Sequence, residues 1–438
     1  MSANLQSLES YWMPFTANRA FKKNPRLFAS AEGMYYKTTE GKQVLDGCAG
    51  LWCVNAGHGQ KKINDAIKFQ VDQMTYAPAF QGGHLGAFEF AERLADLFPG
   101  YLNHAFFTNS GSEAADTSLK LARAYYKARG NPEKVRLVGR DKGYHGVNYG
   151  RLSVGGIPAA RKVYGPFLPE VHHLPHTHNM EKNAFSKGQP EHGVELADRL
   201  LDIIEMHGAD TIAAVIVEPM AGSAGVVVPP KGYLERLRKI TKDNDILLIF
   251  DEVITAFGRT GDISTASLLG IQPDMINTAK GLTNGAVPMG AVMASDEIHD
   301  TIMLGPPDVI ELFHGYTYSG HPLACAAGIA TLDVYKEQGL FERAAELTPY
   351  LEKAVHSLAR HDVVQDVRNF GMVAAVDLKP REGAPTARSF ETYLKAFEQG
   401  VLVRTTGDII AMSPPLIVDE KQIDTIINTL DDILSSLE

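Results

Sequence analysis

Cysteine is scarce in this sequence, which has three cysteines, Cys48, Cys53 and Cys325, among 438 residues. Such a small, odd number argues against a disulfide framework and is typical of a reducing compartment. Long apolar runs are also missing, since no stretch approaches the roughly 20 residues that a membrane-spanning helix needs. Residues 1–10 are polar and lack a basic segment followed by an apolar core. We therefore expect a cytoplasmic protein without a membrane partner.

An excess of positive charge is absent as well. The chain carries 42 Lys and Arg against 52 Asp and Glu, which gives a formal net charge of −10. A negative surface repels nucleic acid and anionic lipid, so we expect neither as a partner and favour small-molecule ligands. With 45% hydrophobic and 21% charged residues, the composition is that of a folded globular protein.

Several short catalytic motifs are missing: the sequence has no Gly-x-x-x-x-Gly-Lys-Ser/Thr, His-Glu-x-x-His, Cys-x-x-Cys or Gly-x-Ser-x-Gly pattern. Four histidines lie close together, but no cysteine or acidic residue stands at a recognised ligand spacing from them. They are His172, His173, His176 and His178. We therefore predict no metal site, and we interpret residues 169–190, which show no hydrophobic period, as a long surface loop.

The sequence does contain amphipathic helices that alternate with short apolar runs, which is typical of a mostly parallel sheet covered on both faces. Helical spacing occurs in segments 63–74, 88–98 and 119–125, and again near the C-terminus in 419–437. The predicted buried strands are 104–108, 135–139, 212–217, 246–250, 275–278 and 289–294.

The two ends of the chain differ from its middle. Residues 34–36 and 44–46 predict strands of a small sheet, and residues 363–378 predict a hairpin that turns at Gly371. We therefore predict an α/β protein with a large domain, whose central sheet is mostly parallel, and a smaller α+β domain built from both ends. The predicted boundaries are 1–56 for the N-terminal part of the small domain with an active-site segment, 57–313 for the large domain, and 314–438 for the C-terminal part of the small domain.

A turn of small residues follows the predicted strand 104–108. Ser110, Gly111 and Ser112 stand where a strand gives way to a helix. The free backbone N–H groups and the dipole of a helix N-terminus favour an anion such as phosphate. The competing interpretation is an ordinary cap, with Ser112 as the capping residue and Glu113 in the first turn.

Two charged residues follow buried strands. Asp251 ends an apolar strand at the edge where ligands of open α/β sheets bind. It either holds a cationic ring nitrogen, or it caps the strand or forms a salt bridge. Lys280 comes just after strand 275–278, where lost solvation would favour the neutral amine that forms an imine with an aldehyde. A solvated surface lysine is the alternative. Farther along, an apolar strand at 401–404 ends in Arg404, a residue suited to holding a carboxylate.

Together these segments resemble the class III, fold-type I aminotransferases, which use pyridoxal phosphate (PLP), along essentially the whole chain. The resemblance rests on segments in the family's order. They are Val217-Glu218-Pro219, Phe250-Asp251-Glu252-Val253, Ala279-Lys280-Gly281 and residues 314–322. Within the family the chain is most similar to the ω-amino acid:pyruvate (β-alanine:pyruvate) type, through segments 11–15, 50–52, 143–148 and 284–290. The fold implied is that of the fold-type I PLP-dependent transferases.

The resemblance also implies roles for individual residues. Lys280 would bind the cofactor aldehyde and then move a proton at the substrate carbon, and Asp251 would hold the ring nitrogen. These two are the implied catalytic residues. The other implied cofactor-binding residues are Ser110, Gly111, Ser112, Tyr144, His145, Glu218, Val253 and, from a second subunit, Thr317. The implied substrate-binding residues are Phe15, Trp52, Phe80, Tyr144 and Arg404.

The function that the resemblance implies is transfer of an amino group to pyruvate from an ω-amino acid, with β-alanine the best candidate, or from another primary amine. The products would be L-alanine and a semialdehyde or ketone. A PLP-dependent aminomutase or racemase on the same fold is the alternative. The resemblance further implies a homodimer with shared active sites. It leaves open a tetramer, the physiological donor and the preferred enantiomer.

Overall fold

A computed structural model describes residues 7–437, so residues 1–6 of the polar N-terminal segment lie outside the described part. The strands are β1 (Phe28–Glu32), β2 (Tyr35–Thr38), β3 (Gln43–Asp46), β4 (His104–Thr108), β5 (Arg136–Arg140), β6 (Val171–Leu174), β7 (Ile212–Val217), β8 (Leu247–Asp251), β9 (Met275–Ala279), β10 (Gly290–Ala294), β11 (Val364–Asn369), β12 (Ala374–Leu378), β13 (Val401–Leu402), β14 (Arg404–Thr406) and β15 (Ile409–Met412). The helices are α1 (Asn18–Lys23), α2 (Ala49–Trp52), α3 (Lys61–Gln73), α4 (Leu85–Leu97), α5 (Gly111–Ala128), α6 (Tyr149–Val154), α7 (Pro158–Tyr164), α8 (Met180–Asn183), α9 (Arg199–His207), α10 (Tyr233–Asp243), α11 (Thr265–Leu269), α12 (Asp296–Ile302), α13 (Pro322–Glu337), α14 (Leu340–His356), α15 (Ala387–Glu398) and α16 (Glu420–Ser435). Short 3₁₀ turns cover Val194–Asp198, Ala209–Thr211, Lys280–Thr283 and Ser357–Arg360.

The centre of the protein is a seven-stranded sheet in the order β4-β10-β9-β8-β7-β5-β6. The strands from β9 to β6 run parallel, and β10 runs antiparallel to both β9 and β4. In β8, Leu248 and Phe250 belong to one apolar cluster and Leu247 and Ile249 to another. Both faces are therefore covered, which is why this strand reads as a continuous apolar run. The prediction of a mostly parallel, covered sheet is confirmed.

The six strands predicted for this sheet are all present, with bounds within one residue of the prediction. The loop predicted at 169–190 is wrong in part, because Val171–Leu174 forms β6 and pairs in parallel with β5. This strand lies at the sheet edge, and His172 and His173 within it are half-buried. An edge strand of this kind carries no continuous apolar run, so its sequence resembles a loop.

Two four-stranded sheets come from the chain ends, in the orders β1-β2-β3-β13 and β11-β12-β15-β14. The predicted hairpin is confirmed, since β11 and β12 pair antiparallel and Gly371 in their turn has φ 59°. The predicted single strand 401–404 is wrong. The chain pairs with β3 through Leu402 and then enters the other sheet at Arg404. A change of partner strand leaves no mark on hydrophobic periodicity.

The last helix, α16, begins at a capping box in which the Asp419 and Gln422 side chains each bind the other's backbone N–H. Its apolar stripe is buried against α14 and α15, as the spacing predicts. Helix α13 packs against α3 and α4, and so joins the C-terminal part to the middle of the chain. The division at residues 57 and 313 stays a prediction. Within residues 7–437 no helix has the length and apolar character needed to cross a membrane.

Candidate active site

The candidate site lies where the central strands end at their C-terminal edge, the position at which open α/β sheets bind ligands. Asp251 is the last residue of β8, and its backbone stands beside Asn277 of the next strand, β9. Lys280 follows β9 directly, and the N-terminus of α5 comes next to both. Sequence-distant residues thus meet at one sheet edge.

These residues surround a cavity of about 130 Å³. The lining includes eight of the predicted cofactor-binding residues. The full lining is Ser110, Gly111, Ser112, Tyr144, Gly146, Arg151, Glu218, Asp251, Val253, Ile254, Ala279 and Lys280. The tertiary structure therefore brings most of the predicted set together, and it adds Arg151, which the sequence did not single out.

The small-residue turn forms the start of α5. Ser110 caps the helix, because its hydroxyl accepts from the Glu113 N–H at 3.2 Å. The interpretation of Ser112 as the cap is therefore wrong; its hydroxyl instead accepts from the backbone N–H of Val147 at 3.3 Å. A Cβ on Gly111 would lie 3.0 Å from both methyl carbons of Val253, so a small residue is needed here. The cap leaves other N–H groups of the first turn free to bind an anion.

The Asp251 carboxylate is buried and strongly hydrogen-bonded. Its Oδ2 accepts from His145 Nδ1 at 2.8 Å and from Arg151 Nη2 at 2.7 Å. Within the described part of the chain, its Oδ1 accepts only a long bond, from the backbone N–H of Val253 at 3.3 Å. Burial alone would raise the pKa of Asp251, but the Arg151 guanidinium and the His145 ring hold it well below the usual value. Asp251 is therefore a carboxylate at neutral pH.

The pKa values of Lys280 and Glu218 are both shifted in the direction that burial dictates. Loss of solvation lowers the pKa of the Lys280 amine, and the Cys53 thiol and Asp251 offset part of the shift. Burial and the neighbouring Asp251 raise the pKa of Glu218 to about 8. The Glu218 carboxyl also accepts from the backbone N–H of Tyr144 at 2.8 Å. Lys280 has a left-handed backbone (φ 51°), which sets its side chain off the line of β9.

His145 is buried and does not line the 130 Å³ cavity, although it borders a wider neighbouring cavity. Burial lowers the pKa of its ring, so the neutral imidazole donates its Nδ1 hydrogen to the carboxylate. Tyr144 lies on the wall of the cavity and also borders a wider one of about 830 Å³. The implied role of Tyr144 and Val253 in binding the cofactor stays a prediction.

The predicted substrate-binding residues are spread more widely. Phe15 is exposed and borders both the wider cavity and a third cavity of about 740 Å³, which Arg404 lines. Within the described residues, the Arg404 side chain has no hydrogen-bond or ion-pair partner. Trp52 is buried in an apolar cluster that includes Ile254, itself on the cofactor cavity wall.

Phe80 and Thr317 do not line any of these cavities. The Phe80 ring packs against Gly315 on an exposed part of the surface, and the nearby Thr317 is also exposed. The Thr317 carbonyl accepts from the Tyr76 hydroxyl at 3.1 Å. Within one chain these two predicted site residues therefore stand apart from Lys280.

The residues around the cavity match the chemical groups of PLP. An amine of lowered pKa can bind an aldehyde, and a helix N-terminus can bind a phosphate. Asp251 Oδ1 can accept a further hydrogen bond. A protonated ring nitrogen needs such an acceptor. The donor set therefore fits this cofactor.

A comparison with known proteins gives the same assignment. The family profile for class III aminotransferases matches residues 16–434. The chain belongs to the class III aminotransferases. It is 57% identical over 431 residues to the omega-aminotransferase of Caulobacter vibrioides, covering 98% of each chain. It is also 49% identical over 434 residues to the beta-alanine–pyruvate aminotransferase of Pseudomonas aeruginosa, covering 98% of this chain and 96% of that one.

Solved structures of related transaminases have the same fold. The amine transaminase of an uncultivated Pseudomonas species, solved in its PLP-bound form, superposes with a TM-score of 0.91 at 34% identity, covering 98% of this chain and 99% of that one. This class III aminotransferase therefore has the fold-type I architecture that the motifs implied, and its family works with PLP.

Proposed function

We propose that this aminotransferase moves the amino group of an ω-amino acid, β-alanine above all, to pyruvate, giving L-alanine and a semialdehyde. Other primary amines would serve as donors and give the corresponding aldehyde or ketone. The observation that carries the proposal is that the Lys280 amine, with its lowered pKa, lines the same cavity as the Asp251 carboxylate and a helix N-terminus. The names of the two relatives, both of them transaminases, support amino transfer over racemisation or migration of the amino group within one molecule.

When bound, PLP supplies an electron sink for the pair left behind as the substrate carbon loses its proton. Lys280 would take that proton and return it, because an amine with a lowered pKa is more often in the neutral form that can accept it. Asp251 would hold the hydrogen of the ring nitrogen through Oδ1. The first turn of α5, from Ser110 to Ser112, would bind the phosphate through its N–H groups.

The apolar and charged groups next to this cavity support a substrate that has an amine at one end and a carboxylate at the other. Tyr144 and Phe15 provide apolar surface between the cofactor cavity and the third cavity. Arg404 lies on the wall of that third cavity without a protein partner in the described chain, so its guanidinium is available for the carboxylate of pyruvate or β-alanine.

A spectroscopic experiment tests the proposed reaction. PLP-loaded protein would receive β-alanine alone and then pyruvate, while its visible spectrum is recorded and the alanine formed is quantified. We expect β-alanine to remove the visible band and pyruvate to restore it. The amount of alanine formed should be limited by the amount of donor added. Lys280→Ala should give no turnover. A spectrum that does not change with β-alanine would reject this donor, and alanine formation without any donor would reject amino transfer.

We further propose a homodimer whose active sites each take Thr317 and Phe80 from the second subunit. The support is an exposed surface, next to these two residues, that is rich in apolar side chains. Those side chains are Tyr76, Leu85, Phe88, Phe313 and Tyr318. We also propose a cytoplasmic location, since Cys48, Cys53 and Cys325 are free thiols.

A further inference from the structure

Arg151 lies beside the cofactor cavity and was not marked by any sequence motif. It is part of α6, its side chain is 3% exposed, and it forms an ion pair with Asp251, whose side chain is equally buried. Its Nη2 donates to Asp251 Oδ2 at 2.7 Å, and its Nη1 donates to the carbonyl of Gly111. One guanidinium therefore bridges the carboxylate at one end of the cavity and the turn at the other.

The surroundings are shaped to admit this guanidinium. A Cβ on Gly146 would lie 2.3 Å from Arg151 Nη1, so any larger residue at position 146 would displace it. The Arg151 Nε hydrogen is buried and has no hydrogen-bond partner among residues 7–437. Burial of an ion pair generally adds little stability, and an unpartnered N–H reduces stability further. Folding stability alone is thus a poor explanation for an arginine at this position.

The contacts at Asp251 indicate what Arg151 contributes. Arg151 and His145 both bind Oδ2, and neither binds Oδ1. With Oδ2 held at two points, the carboxylate plane cannot rotate freely, and Oδ1 keeps its capacity for another donor. Because Arg151 also holds Gly111, it links the position of this carboxylate to that of the first turn of α5.

We propose that Arg151 is a positioning residue for PLP: it orients Asp251 toward the ring nitrogen and sets the distance from that carboxylate to the phosphate-binding turn. The inference rests on the proposed roles of Asp251 and of the α5 turn. It assigns Arg151 no contact with the reacting atoms. It predicts that the contribution of Arg151 to cofactor binding depends on the carboxylate of Asp251.

A double-mutant cycle on PLP affinity tests this dependence. The dissociation constant of PLP would be measured by equilibrium dialysis for the wild type, Arg151→Met, Asp251→Asn and the double variant. We expect Arg151→Met to raise the dissociation constant about ten-fold when Asp251 is present and less than about three-fold in the Asp251→Asn background. The induced circular dichroism per bound PLP should also fall in Arg151→Met, since the ring is held less rigidly.

A second arginine provides the control. Arg123, in the C-terminal half of α5, donates to the carbonyl of Val135 and makes no carboxylate contact within the described residues. Arg123→Met should leave both PLP affinity and the dichroism unchanged. If Arg151→Met does not fold, Arg151→Lys keeps the charge but is too short to reach both acceptors, and its smaller loss of affinity should show the same dependence on Asp251.

The outcomes separate the inference from the proposed function. Equal losses in the two backgrounds would mean a structural role only and would overturn the inference. A lower dissociation constant in Arg151→Met would mean that the guanidinium occupies the place of the ring nitrogen, which also overturns it. Failure of the wild type to bind PLP would instead remove the proposed function itself.

Discussion

At the scale of single residues, the candidate active site contains buried ionisable groups whose pKa values are shifted in different directions. Asp251 remains ionised because Arg151 and His145 compensate it, while the Glu218 carboxyl in the same cavity has no cationic hydrogen-bond partner among residues 7–437. The pKa of Glu218 is therefore raised and that of Asp251 lowered. Two carboxyl groups that line one cavity thus hold different protonation states, a common arrangement in acid–base sites.

The raised pKa of Glu218 predicts a pH-dependent stability. Between its ordinary pKa of 4.5 and the value of about 8, the folded protein keeps a proton that the unfolded chain releases. Stability from this group is thus present at low pH and is lost as the pH rises through the folded pKa. The unfolding free energy of Glu218→Gln should therefore rise relative to that of the wild type by roughly 1–4 kcal/mol as the pH increases from about 5 to about 9.

Urea unfolding at several pH values, without added PLP, would measure this gain. Glu205→Gln, at an exposed position on α9, serves as the matched control and should show no comparable change with pH. A difference between Glu218→Gln and the wild type that does not vary with pH would contradict the assigned protonation state.

Arg404 leads to a prediction about substrates. Because its guanidinium is available to a carboxylate, Arg404→Ala should lower the rate of the half-reaction with pyruvate by about 100-fold, the loss expected for a charge-assisted pair. The half-reaction with 1-phenylethylamine, which lacks a carboxylate, should change by less than about three-fold. Single-turnover spectroscopy would measure each half separately, and equal losses in both would exclude a carboxylate-binding role.

At the scale of elements, the site is assembled from strand ends and helix starts that are closely packed against one another. A Cβ on Gly139 in β5 would lie 1.9 Å from the carbonyl oxygen of Val154 at the end of α6. Helix α6 carries Arg151, so the contact between β5 and α6 places the guanidinium as well as the backbone. The glycine at this position is required for close approach rather than for an unusual backbone angle.

Gly139→Ala should therefore push α6 away from the sheet. We expect a loss of roughly 1–3 kcal/mol in unfolding free energy, the usual effect of overpacking, together with weaker PLP binding. Thermal unfolding and a PLP titration would measure the two effects. Gly100→Ala is the control, since a Cβ at position 100 would meet no atom within 4 Å, and it should leave both quantities nearly unchanged.

At the scale of the whole molecule, Thr317 and Phe80 do not line the cofactor cavity of their own chain and are exposed. This placement leads to a prediction about assembly. If a second subunit supplies them, two inactive variants should complement each other. Lys280→Ala lacks the amine, and Thr317→Glu would repel the phosphate of the neighbouring site. Refolding the two together in equal amounts should restore about a quarter of wild-type activity, since half of the dimers are mixed and each has one intact site.

Sedimentation velocity would report the assembly state of the same samples. If the mixture stays inactive although mixed dimers form, Thr317 acts within its own chain. If the protein sediments as a monomer and is fully active, the shared site is wrong.

The pattern of the sequence predicted much of this protein because buried strands and helix starts have local signatures. The strands 104–108 and 212–217 carry uninterrupted apolar runs, and their observed bounds agree with the prediction. Lys280 and Asp251 could be singled out because each follows such a run directly. The edge strand β6 and the change of sheet at Val403 were missed, since pairing partners are not encoded in local periodicity.

By itself, then, the sequence determined the order of the elements, the candidate residues of the cofactor site and the resemblance to class III aminotransferases. Only the tertiary structure decided which of these residues share an environment. The partner of Asp251, Arg151, lies 100 positions away along the chain, and Tyr144 lies 74 positions from Glu218. Ionisation and orientation depend on such contacts, because burial and nearby charge set the free energy of each protonation state, and both are properties of the folded arrangement.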